Sequence, residues 1–240
     1  MQKTVLILGA SGGIGSACAK LFAQAGYACA LQYHTNAEAV RTLASEFDDI
    51  HPIAADLTDA AQARRCVSLA AYHLGHIDSI VYCAGTAKQE AFSALEDEDF
   101  LAMYQVHVLG AVRVIRAALD ELMQAQSPSV VLFSSMWGQV GAAGESHYAA
   151  AKGAVIALCK SLAKELAVYN IRVNCVSPGL IDTPMNSNMF TEDDLAPVID
   201  RTPLARAGTP EEAAACALFL CDEKASFITG QVLSPNGGIC

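Results

Sequence analysis

A serine, a tyrosine and a lysine within one short stretch have the types and spacing to pass a proton to and from an oxygen atom. They are Ser135, Tyr148 thirteen positions later, and Lys152 four positions beyond that. Tyr148 and Lys152, at i and i+4, share one face of a helix a turn apart. An ammonium beside a phenol favours the tyrosinate, lowering a pKa that is ordinarily about 10. A phenol tuned in this way exchanges a proton with a carbonyl or alcohol oxygen near neutral pH. Ser135 follows the run Val130-Val131-Leu132-Phe133-Ser134 and could hydrogen-bond the same oxygen. Alone, a Tyr and a Lys four apart are ordinary helix-surface partners; the rest of the chain gives them a context.

The first element of that context is the glycine run near the N-terminus. Thr4 to Leu8 is a buried-strand pattern, Gly9-Ala10-Ser11-Gly12-Gly13-Ile14-Gly15 follows, and an apolar stripe through Ile14, Cys18, Leu21 and Phe22 marks a helix. Strand, glycine turn and helix make a phosphate cradle, because glycines let the backbone approach a pyrophosphate and the helix N-terminus offers N–H groups. Gly9, Ser11, Gly13, Ile14 and Gly15 are therefore candidate dinucleotide contacts. The next strand, Ala28 to Tyr33, lacks the acidic end residue that grips a ribose 2′-hydroxyl in NAD sites; Gln32, Tyr33 and His34 stand there. That absence favours NADP(H) over NAD(H), with His34 a candidate phosphate neighbour, although no Arg or Lys accompanies it.

Further elements must position these groups. Strand patterns recur at Ile50 to Ala55, Asp78 to Cys83, Ser129 to Ser134, Ile171 to Ser177 and Gln231 to Leu233. Between them lie helical segments at Ala37 to Phe47, Thr58 to Leu74 (with Thr58 or Asp59 as N-cap), Asp97 to Ala125 and Ser146 to Val168. Thr209 caps a last helix that has Pro210 at its first position. This alternation predicts one α/β domain over 1–240: a doubly wound Rossmann fold with a mostly parallel seven-stranded sheet and helices on both faces. The strand ends at 9, 34, 56, 85, 135 and 178 then meet at the carboxyl edge, where such folds bind ligands. Thr183 to Gly208, with Pro184, Pro197 and Pro203 and short helical patches such as Glu192 to Asp200, predicts a mobile substrate flap.

Composition narrows the function classes. Hydrophobic residues make up 53% of 240 and charged residues 17%, enough for a large core with apolar faces left for a partner subunit. Fifteen basic against twenty-five acidic residues, a net charge of −10, argue against nucleic acid or an anionic membrane as partner. Nine cysteines, an odd count with no C-x-x-C pair, predict reduced thiols in a cytoplasmic protein. The opening apolar run is too short for a signal peptide, and no stretch is expected to approach the length of a membrane span. The six histidines are scattered and no cluster has metal-ligand spacing.

Together, Gly9-x-x-x-Gly13-x-Gly15, Asp56, Ala84-Gly85, Ser135, Tyr148-x-x-x-Lys152, Pro178-Gly179 with Ile181 and Thr183, and Gly230-Gln231 with Asn236-Gly237-Gly238 resemble the short-chain dehydrogenase/reductase family over essentially the whole chain. The nearest subfamily in appearance is the 3-oxoacyl-carrier-protein reductases. The resemblance implies Tyr148 as acid/base, Lys152 as the group that lowers its pKa and holds the nicotinamide ribose, and Ser135, rather than Ser134, as the residue that orients the carbonyl. It implies that Asp56 and Leu57 lie near the adenine, Cys83, Ala84 and Gly85 near the adenosine ribose, and Pro178, Gly179, Ile181 and Thr183 along the nicotinamide. It further implies a homotetramer joined through the two long helices.

Departures from the family pattern also count. Leu8 replaces a threonine, Tyr82-Cys83 replaces a pair of asparagines, and His107 stands for the helix asparagine that supports a water linked to the lysine. His107 could keep that relay, shift its pH dependence, or only pack. Gln126 and Tyr169 occupy positions where carrier-protein reductases tend to have arginines, which weakens docking of an acidic carrier. The leading expectation is an NADP(H)-dependent reductase of a ketone, most like a 3-oxoacyl thioester borne by a carrier, another protein, or free. Alternatives are an elongation factor P aminopentanone reductase or other carbonyl reductase of this family, an NAD-dependent alcohol dehydrogenase, and a non-catalytic dinucleotide sensor.

Overall fold

Runs of β-branched and aliphatic residues bounded by glycine suit strands covered on both faces, which a parallel sheet requires. The computed structural model describes residues 2–240, so Met1 of the expected domain lies outside the described residues. In chain order the elements are β1 (Thr4–Leu8), α1 (Gly13–Gln24), β2 (Ala28–Tyr33), α2 (Glu38–Glu46), β3 (Ile50–Ala54), α3 (Ala60–Leu74) and β4 (Ser79–Tyr82). Then come α4 (Asp97–Tyr104), α5 (Gly110–Ala117), α6 (Leu119–Gln124), β5 (Ser129–Phe133), α7 (Trp137–Val140), α8 (Ser146–Glu165) and β6 (Arg172–Val176). The chain closes with α9 (Pro184–Met189), α10 (Glu192–Asp200), α11 (Pro210–Cys221) and β7 (Val232–Leu233).

The seven strands form one sheet in the order β3-β2-β1-β4-β5-β6-β7. Every ladder is parallel, so the sheet is wholly rather than mostly parallel. Strand alternation divides its side chains between two apolar layers. Leu6 and Leu8 of β1 pack with Val67 of α3, Val114 of α5 and Cys159 of α8. Val5 and Ile7 face Phe22 of α1, Val40 of α2 and Leu220 of α11 on the other side. The direction of winding reverses between β1 and β4, which opens a crevice at their carboxyl ends.

Local signals set several boundaries. Asp59, not Thr58, caps α3: its Oδ1 accepts from the N–H groups of Ala61 (2.7 Å) and Gln62 (2.8 Å). Thr209 and Glu212 form a reciprocal capping box on α11. At the far end of α11 the buried Arg172 guanidinium donates to the carbonyls of Leu220 (2.6 Å) and Cys221 (3.4 Å), binding orphan acceptors at a helix C-terminus.

The helix expected over 97–125 needs correction, since it is interrupted twice. A π-helical turn at Gln105–Leu109 separates α4 from α5, and Ala118 separates α5 from α6. The wider turn leaves the Val106 carbonyl free for the Tyr82 hydroxyl, which donates to it at 2.6 Å. Gly110 makes room for that hydroxyl, because a Cβ there would strike it. The helix of Tyr148 ends at Glu165, short of the expected Val168, and a 3₁₀ turn with left-handed Asn170 (φ 58°) follows. A second correction concerns membrane spans. Asp97–Ala117 is, at 21 residues and mean hydropathy 1.2, long and apolar enough to cross a membrane. In the fold one side of it packs on α3 and α8, and the segment is partly buried.

Candidate active site

β5 delivers two serines to the carboxyl edge, and α8 runs back past them. Ser134 Oγ donates to the Lys152 carbonyl at 2.8 Å and is thereby committed to holding α8. Ser135 faces the crevice, its Oγ accepting from the Trp137 N–H at 3.2 Å. Tyr148 lines the same wall. Lys152 is buried; its Nζ donates to the Phe133 carbonyl at 2.9 Å and lies 5.5 Å from the centre of the Tyr148 ring.

Burial dominates the electrostatics of this pair. Burial pushes the Tyr148 phenol above its ordinary range; the Ser135 hydroxyl pulls it down and the Glu145 carboxylate pushes it further up. The Lys152 ammonium donates to the Phe133 carbonyl, and burial pushes its own pKa down to about 8.

His107 sits on the π-helical turn, its ring edge-on to Tyr148 with centroids 5.5 Å apart. Its Nε2 lies 2.8 Å from the Thr86 carbonyl oxygen, and its buried Nδ1 has no partner. Burial, then the charge of Lys152, hold its pKa well below the ordinary value, so the ring is neutral. Gly85 is the floor against which it rests, since a Cβ on Gly85 would strike the imidazole. The side chain thus packs behind Tyr148 and outside the cavity lining.

The glycine turn fits a pyrophosphate. Gly12, the N-cap of α1, has no side chain to bind the first N–H groups of that helix, which are left for an anion. Gly9 has φ +76°, and a Cβ on it would lie 2.6 Å from Ala84 Cα, so the turn presses directly on Cys83-Ala84 at the end of β4. A Cβ on Gly13 would come within 2.9 Å of Thr183 Cγ2, which brings the opposite wall against the cradle. Ser11 belongs to the same turn, and Ile14 and Gly15 to the first turn of α1, Ile14 reaching the cavity.

Asp56 and His34 meet at the ends of β3 and β2. Asp56 Oδ1 accepts from the Thr58 N–H (2.8 Å) and hydroxyl (2.7 Å), bonds that hold its carboxyl below the usual range. The exposed His34 Nε2 stands 4.0 Å from Asp56 Oδ2. Leu57 is buried and its carbonyl accepts from Arg113 at 3.3 Å. Cys83 has its Sγ 4.0 Å from that of Cys18, so a thiol contact to α1 occupies the place expected of a side-chain amide.

Between Ser135-Tyr148 and the segment after β6 lies a cavity of about 470 Å³. Pro178, Gly179, Ile181 and Thr183 form its inner wall. Gly179 is held from behind by Asn236 of the terminal Asn-Gly-Gly, whose Cα would be 2.8 Å from a Cβ on that glycine. The predicted flap folds as α9 and α10, closed at its base by a bridge between Ile181 and Gly208, and it covers the cavity with Met185, Phe190, Leu195 and Val198. Gly9, His34, Asp56, Ala84, Gly85, His107 and Lys152 lie outside this lining, along or behind the adjoining sheet edge.

Two residues with work in the site were not singled out from sequence. Gln32 turns inward, its Oε1 accepting from the Gly9 N–H (2.8 Å) and its Nε2 donating to the Ala55 carbonyl (2.7 Å). This fixes the glycine turn, where Leu8 offers no side-chain hydrogen bond. An amide inside an apolar strand was the available signal. Glu145 lines the cavity while being almost fully buried. Its place three residues before Tyr148 was the signal there. Among the described residues no group of His, Cys, Asp or Glu is arranged to hold a metal ion.

A family model described as "Enoyl-(Acyl carrier protein) reductase" matches residues 9–240. The chain is 38% identical to "Uncharacterized oxidoreductase YmfI" of Bacillus subtilis, covering 99% of both chains. It is 36% identical to "3-oxoacyl-[acyl-carrier-protein] reductase FabG" of Thermotoga maritima, over 99% of this chain and 97% of that one. It is also 36% identical to "Carbonyl reductase family member 4" of Xenopus laevis, over 100% and 98%. Among solved structures, a short-chain dehydrogenase/reductase of Brucella melitensis, titled a glucose/ribitol dehydrogenase, superposes with a TM-score of 0.93 at 35% identity, covering 99% of this chain and 96% of that one.

Proposed function

The chain belongs to the short-chain dehydrogenase/reductase family, and on that premise we propose that it is an NADP(H)-dependent carbonyl reductase acting on a ketone, with 3-oxoacyl thioesters the nearest substrate type. The observation that carries this is the position of Ser135 and Tyr148 on one wall of a cavity whose opposite wall touches the phosphate cradle. Preference for NADP(H) is supported by β2, where Gln32 is turned inward and the strand itself ends without an acidic residue.

The glycine turn would hold the pyrophosphate, Asp56 and Leu57 would border the adenine, Ala84-Gly85 the adenosine ribose, and Pro178, Gly179, Ile181 and Thr183 the nicotinamide. The bound dinucleotide supplies the hydride. Tyr148 donates its phenolic proton to the carbonyl oxygen while the Ser135 hydroxyl hydrogen-bonds that oxygen, and Lys152 holds the ribose. The raised pKa of Tyr148 keeps the phenol protonated at neutral pH, which suits carbonyl reduction. Nine free cysteines, most of them buried, suit a reducing cytoplasm.

The test is oxidation of NADPH or NADH with a simple 3-oxoacyl thioester, comparing the native chain with Tyr148→Phe. NADPH consumption that collapses in the variant supports the proposal. Binding of NADPH with no turnover of any ketone would favour a sensor, and binding of neither nucleotide would end the proposal.

A further inference from the structure

Four of the nine thiols are committed to the backbone: Cys29, Cys159, Cys175 and Cys216 each donate to a carbonyl, at 3.5 to 3.6 Å. Cys18 and Cys83 instead meet each other, Sγ to Sγ at 4.0 Å, although 65 residues separate them in sequence. Theirs is the one hydrogen bond between two thiols among the described residues.

The two sulfurs differ in access. Cys18 lies in the second turn of α1, fully buried in the apolar layer that includes Ile7 and Phe22. Cys83 follows β4 in a segment that is neither strand nor helix, half-buried at the carboxyl edge of the sheet. The contact with Cys83, then burial, hold the Cys18 thiol well above its ordinary range, so Cys18 stays protonated. An oxidant arriving through the crevice therefore meets Cys83 first, with a second thiol already behind it.

We propose that Cys18 and Cys83 form a reversible disulfide when a hydroperoxide enters the nucleotide-free crevice, and that this bond lowers affinity for the dinucleotide. The Cys83 sulfur attacks the peroxide, the O–O bond breaks, and Cys83 becomes a sulfenic acid while the alcohol leaves with the thiol proton. The Cys18 sulfur then displaces the new hydroxyl, which departs as water with the Cys18 proton. Two thiols are oxidised by two electrons in all and the peroxide is reduced.

A disulfide of about 2.05 Å draws the sulfurs together by about 2 Å. Cys18 is held inside a helix, so the movement falls mainly on Cys83. That segment has no slack against the glycine turn: a Cβ on Gly9 would lie 2.9 Å from the Cys83 carbonyl carbon and 2.6 Å from Ala84 N. The Cys83 N–H also donates to the Leu8 carbonyl at 2.9 Å. Drawing Cys83 toward α1 thus displaces Leu8-Gly9, where the phosphate cradle begins, together with the adjoining Ala84-Gly85. A bound dinucleotide holds that turn in place and covers Cys83, which protects the thiol. The effect on the dinucleotide rests on the reductase proposal; the bond between the sulfurs does not.

The test treats the reduced native chain with hydrogen peroxide, with and without NADPH, then alkylates and digests it for mass spectrometry. NADPH affinity is read from bound-nucleotide fluorescence before and after treatment. The expected product is a Cys18–Cys83 link that dithiothreitol reverses, formed more slowly with NADPH present. Its formation should lower NADPH affinity by about tenfold or more, a change that reduction restores. Cys18→Ala, which lies behind the cradle, should bind NADPH as the native chain does before treatment. After treatment it should give no link and leave a Cys83 sulfenic acid that dimedone traps. The native chain alone decides the pair: no oxidation of Cys83, Cys83 carried to sulfinic acid with Cys18 still a free thiol, or a link through other cysteines overturns it. A Cys18–Cys83 link that leaves NADPH affinity unchanged overturns the effect on the site. The same link in a chain whose reduced form binds no NADPH upholds the pair and overturns the reductase proposal.

Discussion

Tyr148 and Lys152 carry opposite displacements from one cause. Burial holds the phenol protonated and strips the ammonium of stability, bringing Lys152 down to about 8. Reduction needs the phenol protonated and the lysine charged. The reductive kcat/KM should therefore be flat through neutral pH and fall through a limb near pH 8, as the ammonium is lost before the phenol ionises. Lys152→Arg should move that limb upward, since a guanidinium keeps its charge past pH 12. A profile flat to pH 10 in the native enzyme would contradict this. Ser135→Ala should lower kcat by about 10²-fold, the usual effect of removing one donor to a developing oxyanion, with NADPH binding retained in a fluorescence titration. Ser134→Ala acts differently: it frees the Lys152 carbonyl and should reduce Tm without selectively reducing kcat.

At the scale of elements, two buried contacts connect the strand ends to the site. Gln32 bridges the glycine turn after β1 to the strand end of β3, so Gln32→Leu strands the Gly9 N–H and the Ala55 carbonyl. The expected loss is about 2–4 kcal/mol in urea unfolding, with weaker NADPH binding as the turn loosens. Unchanged stability would mean water replaces the amide. The π-helical turn rests on the Tyr82 hydroxyl and the space Gly110 leaves for it. Gly110→Ala should destabilise by about 1–3 kcal/mol through overpacking, and adding Tyr82→Phe should recover part of that loss because it removes the clashing atom. If the double variant is no better than the single, the close approach is not what sets the position of the turn.

At the scale of the molecule, apolar side chains remain uncovered beside the active-site helices. Phe92 is 74% exposed and Leu101 60%. These lie on the connection into α4 and on α4 itself, beside α8, the helices on which the homotetramer expectation rests. Light scattering should give a mass roughly four times 25.2 kDa. Leu101→Asp should lower the assembly state. A native mass of one chain would leave those faces without the expected partner.

The order of strands and helices, the glycine turn and the spacing of Ser135, Tyr148 and Lys152 were determined by the sequence itself. Each depends on local periodicity or on a residue type with one backbone role, as with Gly9 at positive φ or Asp59 and Thr209 as helix caps. Periodicity did not reveal the break in the helix over 97–125, because a π-helical turn keeps the apolar pattern and is selected by the Tyr82 hydroxyl from another strand. Nor could spacing show where the Lys152 ammonium points. That depends on the Phe133 carbonyl across the sheet edge and on the low dielectric around it, and both exist only once β5 and α8 are packed. The inward turn of Gln32 was likewise decided by tertiary structure. Its polar partners, the Gly9 N–H and the Ala55 carbonyl, belong to residues distant in the chain.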